Sequence, residues 1–373
     1  MLGVANQYCL QFALGGNTDW LTTKDFVFFR LSEEAGNSLP QFMLKFKLTN
    51  ENDSVLSQLN ETSVITASYG QDPSSMGTST LYITEIELVP AGESWNVQVQ
   101  GHLNAPAYLY NKHTGCSPKE SGVECVINTA KKYFAIKTNI QKSDDSQNWV
   151  QHNVSDKQFV RDTWLHSHSP SSFISVGISA LNNTFVLKEM GQSYSEGAQW
   201  QFLPYANNDT FNQISVMGSP KIKNISGFIN SWLGYPESLN VFNIDTGLSS
   251  LISTLSNIFQ GSGGGPLANS DVLPRMGQYL TKTANMHDNY HQAKQNNLYG
   301  NAVASSFQVN VMFDKIFRPV MVLDQAYFNL GDAADAVTGY SSGNYTVFRV
   351  VRVFGNQVCR TMVGMSREAP GCV

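Results

Sequence analysis

Apolar and polar residues alternate with a period of two over much of the 373-residue chain, which predicts strands from one end to the other. Phe26 and Phe28, then Phe42, Leu44, Phe46 and Leu48, mark two strands on either side of the Gly36-Asn37 turn and Pro40. Asn52-Asp53-Ser54 then caps a short helix carrying Val55, Leu56 and Leu59. Strands follow at 63–69, 80–89 and 95–102, the last two joined through Pro90-Ala91-Gly92. Leu81, Ile83, Ile86 and Leu88 change parity within one strand, and such a change calls for a β-bulge. These elements make one barrel-like β domain interrupted by a helix.

Near Lys112 the periodicity changes. Ser121-Gly122-Val123-Glu124 has the Ser-x-x-Glu form of a capping box, and Val123, Val126, Ile127, Ala130 and Phe134 then share one helical face. Ser155-x-x-Gln158 opens a second helix that Pro170 ends, and Lys142 to Gln147 between them reads as an exposed loop. Strands at 173–178 and 184–187, joined by Asn182-Asn183, complete a small α/β middle domain. Residues 222–230 and 239–244 are again strand-like. Leu248, Leu251, Ile252, Leu255, Ile258 and Phe259 then give the strongest amphipathic-helix pattern in the chain, ended by the Gly261-Ser262-Gly263-Gly264-Gly265-Pro266 linker. A more polar helix is expected from about Arg275 to Asn296, ahead of strands at 307–312 and 319–328.

The most telling stretch is Ser342 to Arg367. Two runs rich in Val, Tyr, Phe, Thr and Met flank Gly355-Asn356, a dipeptide suited to a tight hairpin turn. Tyr345 and Val347 point to one face and Phe348 and Val350 to the other, so the ribbon changes its buried side midway or is covered on both. Arg349, Arg352, Arg360 and Arg367 interrupt the apolar faces, which suits a wall with one wet side.

Gly-x-Tyr-x-Val-x-x-Val, a turn and a strand ending in Ser-Arg resemble the closing hairpin of the bacteriophage tail (baseplate) hub family, which includes the late control protein D type. Phe29-Arg30-Leu31-Ser32-Glu33-Glu34-Ala35-Gly36 with Leu39-Pro40-Gln41-Phe42, and Ser155-Asp156-Lys157-Gln158-Phe159-Val160, are similar to it as well. Arg352 stands where that family often has His.

The two ends of the chain share one order: two strands, a helical interruption, a strand, then two long strands joined by a turn. This is an internal repeat of elements, not of residues. The expected fold is α+β, mainly β and multidomain. A first tube-like β-barrel spans 1–110 and a middle α/β domain 111–205. A second, discontinuous barrel takes 206–246 and 299–373, and a helical insertion with the Gly-rich linker takes 247–298. Three copies of such a chain form a ring of six barrels, so a threefold object presents a sixfold face.

The resemblance implies a homotrimer in the virion, at the tail baseplate, assembled in the host cytoplasm. It implies contacts with the tail tube protein, the central spike protein, baseplate wedge or tail-tip proteins and the tape measure protein, around a bore for DNA.

Composition fits that picture. Lys and Arg number 24 against 29 Asp and Glu, a net charge of −5, which opposes a nucleic-acid-binding patch but suits a bore through which DNA passes without sticking. Charged residues make up only 14%, and surfaces consumed by permanent partners are depleted in charge at their centres. The first residues lack the basic and apolar regions of a signal peptide, and no apolar run approaches the ~20 residues of a membrane helix.

Five cysteines are scattered; Cys116 and Cys125 are close enough in sequence to bridge, with free thiols in a reducing cytosol the favoured reading. His166-Ser167-His168 and His287 with His291 lack the carboxylate or Cys spacing of a metal site. Glu33-Glu34, Asp144-Asp145, Glu85/Glu87 and Asp332/Asp335 are carboxylate pairs outside any catalytic motif, read as solvated faces. The sequons at Asn60, Asn153 and Asn224 follow from an Asn-, Ser- and Thr-rich composition. No catalytic, cofactor or metal site is assigned. The rival readings are a β-rich tail protein that binds host-surface glycans through strand aromatics, and a tail-associated cell-wall hydrolase.

Overall fold

The computed structural model describes residues 8–18, 20–21, 24–48, 54–92, 94–140, 143–170, 172–204, 211–225, 238–253, 279–314, 316–330, 340–355 and 358–368. The first β unit contains β1 (Cys9–Leu14), β2 (Phe26–Glu34), β3 (Gln41–Leu48), the short α1 (Ser54–Ser57), β4 (Val64–Gly70), β5 (Gly77–Ala91) and β6 (Ser94–Leu103). Its strands lie in the order β1-β4-β5-β6-β3-β2, all neighbours antiparallel. Phe42, Leu44, Phe46 and Leu48 alternate inward along β3, as their spacing predicts. The sheet curls, so Phe12 on β1, at one end of this order, sits with its ring 5.1 Å from that of Phe29 on β2, at the other. The register shifts between Ile83 and Glu85, which is the bulge that the change of parity called for.

After α2 (Pro106–Tyr110) comes a compact α/β region with β7 (Lys112–Glu120), α3 (Gly122–Ala130), β8 (Ala135–Thr138), β9 (Gln147–Ser155), α4 (Asp156–His166), β10 (Ile174–Ser179), β11 (Thr184–Glu189) and α5 (Met190–Ser195). Both helix starts follow the sequence: Ser121 and Glu124 form a reciprocal capping box, and Ser155 Oγ accepts from Gln158 N. The segment expected to be an exposed loop is anchored at its centre. Asp145 is fully buried, its carboxylate accepting from Gly122 N at 3.1 Å and His168 N at 2.8 Å, so it caps α3 and holds the chain leaving α4. β7 and β9 form a two-stranded ribbon that no alternation announced.

The second β unit contains β12 (Trp200–Leu203), β13 (Gln213–Ser215) and β14 (Lys221–Asn224). It resumes after an inserted segment with β18 (Phe307–Asp314), β19 (Gln325–Phe328), β20 (Gly343–Gly355) and β21 (Val358–Arg367). The insertion holds β15 (Ser238–Asn243), β16 (Leu248–Ser253) and β17 (Tyr279–Lys282), which form their own three-stranded sheet, and α6 (Tyr290–Ala304).

The amphipathic helix expected from Leu248 is instead a strand as far as Ser253, and residues 254–259 of that pattern lie outside the described residues, as do the Gly261–Gly265 linker and Asp332/Asp335. Gly247, with φ of +68°, turns the chain back so that Leu248 pairs with Asn243, and this hairpin overrides a helical spacing that a short apolar run cannot distinguish from a strand. Of the polar helix expected from Arg275 to Asn296, residues 275–278 lie outside the described residues and 279–282 are the strand β17; the helix is α6, which starts only at Tyr290 and runs on to Ala304. Asn296 and Asn297, at the expected end of that helix, are buried within it: Asn297 Nδ2 donates to the carbonyls of Trp164, Leu165 and Ser167 at 2.9–3.1 Å, tying α6 to the end of α4.

The second unit repeats the first. Apart from β13, an extra strand that pairs parallel with the far side of β12, the strands β12, β14, β18, β19, β20 and β21, taken in chain order, lie in the sheet as β12-β19-β20-β21-β18-β14, the same permutation as β1 to β6. Four of the five neighbouring pairs keep their sense; β12–β19 is parallel where β1–β4 is antiparallel. The long hairpins agree residue by residue. Each has a bulge in its first strand, at Thr84 and at Phe348, and each pairs its last residue three positions on, Ala91 with Ser94 and Gly355 with Val358.

Candidate functional site

The bulge makes β20 serve two neighbours along one edge. Gly343 to Thr346 pair with β19, and Arg349 to Gly355 pair with β2 of the first unit, so strands of both units join one 13-stranded sheet. Tyr345, Val347 and Val350 all pack in the core of the second unit and Phe354 in that of the first; the expectation that Val350 faces away from Tyr345 and Val347 is corrected, because the bulge at Phe348 shifts the alternation by one residue and keeps the same side inward. Phe354 stacks on Phe29 across the junction with centroids 6.0 Å apart.

Glu33 and Arg352 correct the sequence reading, which put both on wet faces. Both are fully buried, with Arg352 Nη1 2.6 Å from Glu33 Oε1. Glu33 Oε2 also accepts from Ala180 N at 2.8 Å, and Arg352 Nη2 donates to the Val320 carbonyl. The guanidinium lies 5.8 Å from the Phe317 ring. One ion pair thus ties the first unit, the middle region and the second unit together. Beside it burial pushes the Tyr69 hydroxyl and the Cys359 thiol up to about 12, which leaves both neutral.

On the outer face of the junction Glu34 meets Arg349 at 3.1 Å, beside a mainly polar groove of about 440 Å³ that also exposes Arg30, Gln41 and Gln100. The turn after β2 is held by Ala35 N donating to the carbonyl of the bulge residue Phe348 and Gly36 N donating to Val176, both at 2.7 Å. Asn37 Nδ2 donates to the Lys157 carbonyl at 2.8 Å.

The histidine clusters, far apart in sequence, meet where the insertion packs on α4. His287 Nε2 donates to the His166 carbonyl at 2.8 Å, and the His166 ring stacks on Tyr290 at 3.9 Å. His168 Nδ1 donates to Asp144 at 2.8 Å, which holds that carboxyl below its usual range. Burial pushes His166 down to about 4 and lowers His287. The His166 and His287 rings are therefore held neutral by their packing. Among the described residues no group of three or more His, Cys, Asp or Glu side chains is arranged to hold a metal.

Glu85 and Glu87 are exposed on β5. Cys116 is an exposed free thiol on β7 and Cys125 a buried one on α3. No described helix is long and apolar enough to cross a membrane.

No family model matches the chain, and no curated protein matches it by sequence. Solved structures do match in shape. A tail protein from Neisseria meningitidis MC58 aligns over 97% of both chains with a TM-score of 0.61 at 7% identity. The chain shares the fold of that tail protein. The 43 kDa tail protein of prophage MuSo2 from Shewanella oneidensis covers 99% of this chain and 100% of its own, with a TM-score of 0.57 at 8% identity. An Escherichia coli type VI secretion component, described as similar to the T4 bacteriophage tail proteins gp27 and gp5, covers 95% of this chain and 76% of its own (TM-score 0.52, 8% identity).

Proposed function

We propose that this chain is a non-enzymatic structural hub of a bacteriophage tail. In this reading it is a homotrimeric adaptor whose six β units, two per chain, form a ring that seats the sixfold tail tube on one face and the threefold central spike on the other. The observation that carries the reading is the repeated strand order, 1-4-5-6-3-2 in both units, with hairpins that agree in bulge and turn position. A chain that holds two copies of one module needs only threefold closure to offer six similar positions. The tail-protein fold over the whole chain length supports the same reading.

The two β units are then the tube-like barrels. The middle α/β region and the insertion face the remaining partners: baseplate wedge or tail-tip proteins and the tape measure protein. DNA passes through the bore, which a net charge of −5 keeps from becoming adhesive. The place of action is the tail baseplate of the virion, after assembly in the host cytoplasm. Co-expression with the tail tube subunit of the same phage tests this. Rings seated on one end of the tubes are expected in electron micrographs, and tubes that assemble without binding the protein contradict it.

A further inference from the structure

We propose that the polar groove on the outer face of the β2–β20 junction is a docking site for an extended acidic segment of another protein, whose carboxylates, four positions apart, are held by Arg30 and Arg349.

The groove measures about 440 Å³, within the ~300–1,000 Å³ of small-ligand sites, and its described lining comes from one chain. Strand pairing fixes where its polar groups stand. Arg30, Ser32 and Glu34 take alternate positions on β2 and so share one face, with Gln41 of β3 opposite Ser32. Met43 of β3 lies between Arg30 and Gln100 of β6, and Arg349 of β20 lies opposite Glu34. The two arginine positions are thus separated by the rise of four residues along β2, about 13 Å at ~3.3 Å per residue. An extended chain laid along β2 presents residues i and i+4 on one face at the same spacing, whereas a lone phosphate would meet one arginine and leave the other unmet.

The lining calls for acceptors. Among the described residues the Arg30 side chain has no ion-pair or hydrogen-bond partner. Arg349 meets only Glu34, at 3.1 Å through Nε, and its Nη groups make no hydrogen bond there. The amides of Gln41 and Gln100 and the Ser32 hydroxyl likewise have no partner among the described residues. Two arginines against one glutamate give the groove a net charge of +1 in a chain whose net charge is −5. Phe42, the one ring in the described lining, is buried, so the groove offers a sugar no aromatic face. The floor is preorganised: β2 is paired on both sides, and the turn beyond it is tied down at Ala35, Gly36 and Asn37. A site that need not reorganise loses less on binding.

The test is fluorescence anisotropy with the full-length chain and a short fluorescein-labelled peptide that carries two glutamates four positions apart with serines between. Saturable binding is expected, weakened about tenfold by Arg30→Gln and by Arg349→Gln, the loss of one charge-assisted hydrogen bond. Glu34→Gln, which removes the carboxylate that competes for Arg349, should tighten it. Lys223→Gln on β14, outside the groove, should leave it unchanged, and a loss equal to that of Arg30→Gln would reveal general charge attraction and overturn the site. Equal binding of a peptide with its two glutamates adjacent overturns the spacing. Stronger competition by inorganic phosphate or by an oligogalacturonate than by unlabelled peptide overturns the choice of a protein segment. A peptide that does not bind overturns the site altogether.

Discussion

Glu33 and Arg352, 319 positions apart in sequence, form an ion pair at 2.6 Å in which neither side chain touches solvent. Burying two charges costs several kcal/mol each, and their attraction offsets this only when the remaining hydrogen-bond positions are filled. Here Ala180 N and the Val320 carbonyl fill two of them. The pair does little for net stability relative to an apolar substitute. Its consequence is geometric, because β2, β20 and the end of β10 can meet in only one arrangement.

Removing one partner strands the other charge. Arg352→Met or Glu33→Gln is expected to destabilise the chain by about 3–5 kcal/mol, whereas Glu33→Leu with Arg352→Met should recover most of that loss. Denaturant midpoints of the three variants check this.

Asp145 accepts two backbone N–H groups, from Gly122 and His168, while fully buried. Asp145→Ala leaves both without an acceptor at a cost of about 1–3 kcal/mol each. Hydrogen exchange should quicken first at the start of α3 and just after α4.

Gly300 of α6 lies against Phe173, and a Cβ there would stand 2.3 Å from the ring. Alanine gains roughly 1 kcal/mol of helix propensity over glycine, but forcing a methyl group into a packed core costs about 1–3 kcal/mol. Gly300→Ala is therefore expected to lower the melting temperature, and Phe173→Leu in the same chain should restore part of it.

Acid should loosen the insertion. Burial lowers His166 to about 4, below the roughly 6.5 of an unfolded histidine. The unfolded chain takes up its proton first, so the stability held by the neutral ring is complete above pH ~6.5 and lost as pH falls from there towards ~4. His287, lowered mainly by burial, acts in the same sense, and the lowered carboxyls of Asp144 and Asp288 lose their contributions only below this window. Thermal melts between pH 7 and 4.5 should show a fall that His166→Phe, which keeps the stack on Tyr290, reduces.

The sequence carried those parts of the fold whose signal is local. The alternation along Phe42 to Leu48, the parity change after Ile83, the Ser121 and Ser155 caps and the hairpin around Gly355 all depend on neighbours a few residues away. What escaped depends on distant partners. Glu33 and Arg352 look like ordinary wet-face charges until β2 and β20 are known to pair, and Asp145 looks solvated until α3 and the end of α4 close over it. Leu248 to Ser253 satisfied a helical spacing, but tertiary pairing with β15 decided for a strand. The repeat was legible as an order of elements, although the pairing of β2 with β20 across the two units was not. No single-strand pattern specifies which of two edges a strand will join.

The central claim, that two copies of one β unit per chain let three chains stand in for six, is tested most directly by the mass of the purified full-length protein in solution, measured by light scattering at micromolar concentration. Three times the 41.2 kDa chain mass is the expected value. A single-chain mass that persists as concentration rises would contradict it.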